Sequence, residues 1–178
     1  MQRSPKTIAE AFTANVKAKG IEAVNAAIDE LAQMAKAIRI LRLISHFKNP
    51  TLSLSQKEEW LKKIGHAIKV SEASQRMAMT LLMVNQLGSL SKVVASMKEI
   101  RASDFGVGEG EVTTMTPLSS HQKQAVTELL KKMSGLKEVI VIEKINRNIL
   151  GGISVSSGDK LVDATLQRQL RNMLKLVS

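Results

Sequence analysis

The chain holds 178 residues, with 26 Lys and Arg against 16 Asp and Glu for a formal net charge of +10, and it contains no cysteine and no tyrosine. The missing cysteines exclude disulfides, thiolate metal sites and cysteine nucleophiles, and no window approaches the ~18 apolar residues of a membrane span. Aromatic residues are 2% of a chain that is 44% hydrophobic, so its core is aliphatic and its composition favours helices.

The first twenty residues have no continuous apolar core of the kind a secretory signal needs, and Arg3 is their sole arginine, where a mitochondrial targeting segment is Arg-rich. Ile8, Ala11, Phe12 and Val16 recur at helical spacing and predict a first helix over Lys6–Lys19, stopped by Gly20. Ile21, Val24, Ile28, Leu31, Ala35 and Ile38 alternate steps of three and four, one apolar stripe along a second helix. A short third helix is expected around Ile38–Phe47, ending at the turn dipeptide Asn49-Pro50. Ser55-Gln56-Lys57-Glu58 reads as a capping box opening a fourth helix that carries Trp60, Leu61, Ile64 and Ile68.

Met77, Met79 and Met83, beside Leu81, Leu82 and Val84, stud a fifth helix expected over Glu72–Leu87 and ended by Gly88. These side chains project in several directions, more apolar surface than one stripe needs. Either the helix is central among its neighbours or it exposes a groove for an amphipathic partner helix. Leu90, Val93, Val94, Met97 and Ile100 mark a sixth helix over Ser89–Ala102. Six amphipathic segments with short connections describe a helical bundle over residues 1–103.

The glycines of Asp104–Gly110 break this pattern, so a glycine-rich linker that permits flex is expected at 104–110. It is not a nucleotide loop, because neither phosphate-cradling glycine motif occurs in the chain. Residues 111–178 then read as a small mixed α/β domain. Its elements are a strand at Glu111–Met115, a helix at Ser120–Met133 and a β-branched strand at Glu138–Ile145. A hairpin follows over Gly151–Asp163. Leu166, Leu170, Met173, Leu174 and Val177 line one face of a closing helix. In the hairpin, Gly158-Asp159 is a tight-turn signal between two alternating runs, and Gly151-Gly152 marks a bulge or a close approach of backbone.

None of this is reactive. His46, His66 and His121 are far apart and lack metal-ligand spacing. Glu58 and Glu59 point about 100° apart on a helix and share a substrate poorly. Asp163 reads as a strand-end or cap residue rather than a base. Residues 1–103 hold 16 basic against 8 acidic residues, and Lys36, Arg39 and Arg42 sit three apart as phosphate contacts do. Stacking aromatics, on which single-strand binders rely, are nearly absent.

The segment Ile145–Gly158 resembles the C-terminal signature of the ATP synthase delta subunit family, called oligomycin-sensitivity-conferring protein in mitochondria. The matching residues are Val141, Ile145, Leu150, Gly151, Gly152, Ile153, Val155, Gly158 and Asp163. Asn146 stands where the family often has Asp, and Ile8 where it often has Tyr. Asn85-Gln86-Leu87-Gly88 replaces a polar, arginine-containing end of helix five. The resemblance implies an α+β protein, an N-terminal six-helix bundle followed by a small mixed α/β domain, that is a non-catalytic stator subunit of a rotary proton-translocating ATP synthase. It implies no cofactor, no metal and no nucleic acid.

By the same resemblance, Ile8, Phe12, Val16, Met77, Leu81 and Val84 line a groove for the amino-terminal helix of an alpha subunit. Leu150, Gly151, Gly152, Gly158 and Asp163 are structural. Leu170, Met173, Leu174 and Val177 face a b-type peripheral-stalk subunit, with beta subunits as a further contact. Membrane association comes through the complex alone, on the matrix side of the mitochondrial inner membrane or, alternatively, the cytoplasmic side of a bacterial one. A reading of another class, a basic RNA- or ribosome-associated protein, rests on the positive N-terminal half.

Overall fold

The computed structural model describes residues 4–158, 160–166 and 168. Among these, helices α1 (Pro5–Lys17), α2 (Ile21–Ile40), α3 (Ile44–Lys48), α4 (Leu54–Ala67), α5 (Glu72–Met83) and α6 (Leu90–Phe105) precede a mixed region. That region comprises β1 (Val107–Thr114), α7 (Ser120–Ser134), β2 (Glu138–Ile145), β3 (Ile153–Ser157) and β4 (Lys160–Asp163). The chain divides into two compact units, one ending at Arg101 and the other beginning at Ala102. The architecture is α+β, helices followed by a small four-stranded sheet.

In the first unit α2 supplies the spine. Val24, Ile28, Leu31 and Ile38 of its apolar stripe are buried, with Met34 rather than the expected Ala35 completing the face, as are Leu61, Ala78, Leu81, Leu90, Val93 and Met97. Burying an aliphatic side chain of this size contributes about 1.5–3 kcal/mol each, which is what holds short helices that are marginal alone. Arg101, also buried, donates from Nη1 to Asn25 Oδ1 at 3.0 Å.

Local chemistry moved several boundaries from their expected places. The cap of α4 is Ser53, not Ser55: Ser53 Oγ accepts the Gln56 amide, and Gln56 Oε1 accepts the Ser53 amide. Ser-x-x-Gln and Ser-x-x-Glu overlap here, and the earlier pair starts the helix two residues sooner. Helix α3 is only Ile44–Lys48, because α2 runs on to Ile40 and the chain then turns through a left-handed Arg42 (φ 51°). Helix α5 ends at Met83 rather than at Gly88. Asn85 takes the left-handed turn (φ 55°), a conformation that Asn tolerates, and Gly88 lies inside a short 3-10 helix, Leu87–Ser89.

The glycine-rich segment corrects the expected linker. Asp104 and Phe105 finish α6, Gly106 alone makes the turn, and residues 107–110 are already in β1. Gly108 and Gly110 are there for packing. A Cβ on Gly108 would lie 2.2 Å from Leu136 Cδ1, and one on Gly110 would lie 2.5 Å from Leu130 Cδ2. These glycines let α7 approach the sheet, and Leu130 is fully buried against Val112, Val126, Val139 and Val155.

The sheet order is β2-β1-β3-β4. Strand β1 pairs with β2 in parallel across α7, and antiparallel with β3, which pairs antiparallel with β4. Glu143 on β2 fastens the entry to α7. It accepts the Leu118 amide at 2.6 Å and pairs with Lys123 at 3.0 Å. The Leu118 amide first and Lys123 second hold its carboxyl below the ordinary glutamate value.

Candidate functional site

Helices α1 and α5 each turn one face to the interior and leave a second apolar face beside it. On α1 the buried set is Ala9, Thr13 and Val16, and on α5 it is Ser74, Met77, Ala78, Leu81 and Leu82. Between the flanking faces lies a cavity of about 590 Å³. Ile8, Phe12 and Val16 line it from α1, and Met77, Leu81 and Val84 from α5 and its C-cap. All six residues expected for a partner groove are thus brought to one cavity. Ile8, where the family often has Tyr, is among them.

The groove is open to solvent at Val84. Val84 is 52% exposed, while Met77 and Leu81 form a buried floor. Polar groups line it as well, including Lys19, Arg76 and Gln86.

The C-terminal motif has a structural cause. Gly152 (φ +83°) lies against the backbone that follows β4: a Cβ there would be 2.3 Å from the Ala164 carbonyl oxygen and 2.9 Å from Thr165 Cα. The approach is fixed by Ala164 N donating to Ile153 O at 2.9 Å and Leu166 N donating to Gly151 O at 3.1 Å. Gly158 (φ +60°) makes the hairpin turn. Asp163 ends β4 and its Oδ1 accepts the Thr165 amide at 3.0 Å. Leu150, beside the glycine pair, is 64% exposed. Leu170, Met173, Leu174 and Val177, expected to face the stalk, lie outside the described residues.

Other candidates are scattered. The His46 ring stands edge-on to Trp60, with centroids 6.0 Å apart. Lys36 and Arg39 border a small cavity with Ala32, Ala35, Ser91 and Val94, whereas Arg42 lies in the turn after α2. Among the described residues no three His, Asp or Glu gather as a metal site, and no helix is long and apolar enough to cross a membrane. Glu143 and the packing glycines of β1 escaped the sequence reading, because their partners are distant in the chain.

A helical unit with an open apolar groove, followed by a small four-stranded unit, has the layout of a protein–protein adaptor. The family model described as ATP synthase delta (OSCP) subunit matches residues 6–176, and the chain belongs to that family. It is similar to ATP synthase subunit 5, mitochondrial, of Neurospora crassa, at 29% identity over 94% of this chain and 77% of that one. It is also similar to ATP synthase subunit delta of Oleidesulfovibrio alaskensis, at 28% identity over 91% and 88%. A chain of the Toxoplasma gondii mitochondrial ATP synthase hexamer shares the fold, with a TM-score of 0.63 at 16% identity over 99% of both chains. The function is that of a stator subunit of a rotary ATP synthase, and these relatives lend nothing to the RNA-binding reading.

Proposed function

We propose that this chain works without a catalytic centre, as a mechanical link. Its helical unit holds an amino-terminal helix of an alpha subunit in the α1/α5 groove, and its C-terminal segment holds a b-type peripheral-stalk helix. The catalytic head must not turn while the central rotor does, so this link carries reaction torque. The observation that carries the reading is the gathering of Ile8, Phe12, Val16, Met77, Leu81 and Val84 along one cavity. An amphipathic helix laid into such a groove buries its apolar face at i, i+3, i+4 and i+7. The stalk contact rests on the spacing of Leu170, Met173, Leu174 and Val177 and on the family resemblance. Attachment through partners fits relatives named from both mitochondria and bacteria, and the subunit then lies on the matrix or the cytoplasmic side accordingly.

The test is calorimetric titration of the full chain with a synthetic peptide covering the amino-terminal segment of the alpha subunit from the same organism. Val84→Glu places a charge on an exposed groove residue and leaves the buried core untouched. It is expected to weaken binding by about tenfold or more, as expected when a charge is set into an apolar contact. Equal affinity for the wild-type and V84E chains would remove the groove from the mechanism.

A further inference from the structure

An apolar groove alone fixes neither the direction nor the register of a helix lying in it, because aliphatic contacts tolerate sliding. Two polar features of this groove are unmatched. The first is charge. Lys19 and Arg76 are among its lining residues, and no carboxylate is. Arg76 is answered by Glu72 one turn earlier on α5. Lys19 has no carboxylate partner among the described residues.

The second is an orphaned acceptor. Gln86 lines the groove, and its Oε1 is buried with no hydrogen-bond partner. Its backbone is pinned: the amide donates to Leu81 O at 2.7 Å, and the carbonyl accepts the Ser89 amide at 2.8 Å. Only the side chain is free to move. A buried carbonyl oxygen without a donor is costly, and a turn of the side chain toward the groove exposes it to whatever docks there.

We propose that the helix seated in this groove carries a carboxylate on the flank that passes Lys19 and an N–H or O–H donor that reaches Gln86 Oε1, so that these two residues set its direction and register. This rests on the groove reading above and adds the chemistry of the occupant. The lining residues of α1 run from Thr7 to Val16, about 14 Å of helix, with Lys19 just beyond its end, so the occupant is a helix of about three turns. Its apolar face supplies the affinity, and the two polar anchors supply selection, since a wrong register leaves Gln86 unpaired and Lys19 facing an uncharged side.

The experiment uses the full chain and the labelled alpha-subunit peptide, with binding read by fluorescence anisotropy at low salt and at about 1 M salt, where screening reaches about 3 Å. K19E is expected to weaken binding by about threefold to tenfold at low salt, with the gap closing at high salt. Q86L, which removes the acceptor and leaves the partner's donor unpaired, is expected to weaken binding by about fivefold or more at both salts. If K19E and Q86L bind as wild type does while V84E fails, the anchors are refuted and the groove stands. If the wild-type chain fails to bind, or V84E binds equally well, the groove reading fails and takes the anchors with it.

Discussion

Replacing Gly152 by alanine separates a conformational cost from a steric one. The left-handed backbone at φ +83° costs a non-glycine residue about 1–2 kcal/mol. The new Cβ would also press on backbone, 2.3 Å from the Ala164 carbonyl oxygen, and neither partner is a side chain that can rotate away. Overpacking of this kind adds about 1–3 kcal/mol, for a total of about 2–5 kcal/mol. Gly135 is the matched control: it caps α7 at φ +72° with nothing within 4 Å of its Cβ position, so G135A meets only the first cost. With a urea slope of about 1.5 kcal/mol per molar, G152A lowers the midpoint of the C-terminal unit by about 2 M and G135A by about 1 M or less. Trp60 is the sole tryptophan and lies in the helical unit, so its fluorescence follows that unit while far-UV circular dichroism follows both. The expected result is an unmoved Trp60 transition and a displaced second transition by dichroism. Equal shifts for G152A and G135A would refute the claim that close backbone contact, rather than φ alone, requires glycine there.

Glu143→Gln removes the anion that holds Leu118 and Lys123. Because the folded carboxyl lies below its ordinary value, its stabilisation is present above the unfolded value and is lost as pH falls through the folded one. Thermal melts of wild type and E143Q should therefore differ most near neutrality and converge as pH falls below the ordinary glutamate value and through the lowered one; a gap that widens in acid would contradict the assignment. Gly110→Ala should destabilise the C-terminal unit by about 1–3 kcal/mol, and pairing it with Leu130→Ala should show strong non-additivity, since the new methyl occupies space that Leu130 vacates. Additive losses in urea titrations of that cycle would count against the contact.

Most elements were legible because their signals are local. The strand Glu138–Ile145 was read from its β-branched density, and the hairpin from Gly158 between alternating runs. The surplus of apolar side chains at Met77, Met79, Leu81, Leu82 and Met83 left a groove as one of two readings of α5, and its six lining residues came from the family resemblance. What stayed hidden depends on partners far along the chain. Gly108 and Gly110 look like a linker until Leu130 and Leu136 demand their space. Gly88 looks like a helix stop until Asn85 takes that role, and Ser55 looks like a cap until Ser53 offers a longer helix. Glu143 gives no local sign that it will hold an amide on another element.

The position of β1 bears on how the molecule carries a pull. The chain leaves α6 through Gly106 alone and enters an inner strand, flanked by β2 over eight paired residues and by β3 over four. A pull applied along β1 is therefore met by both ladders at once. Their hydrogen bonds must yield together in shear, whereas an outermost strand would unzip one pair at a time. For a part that resists rotation, entry through the middle of the sheet makes the C-terminal unit stiff against a pull along β1.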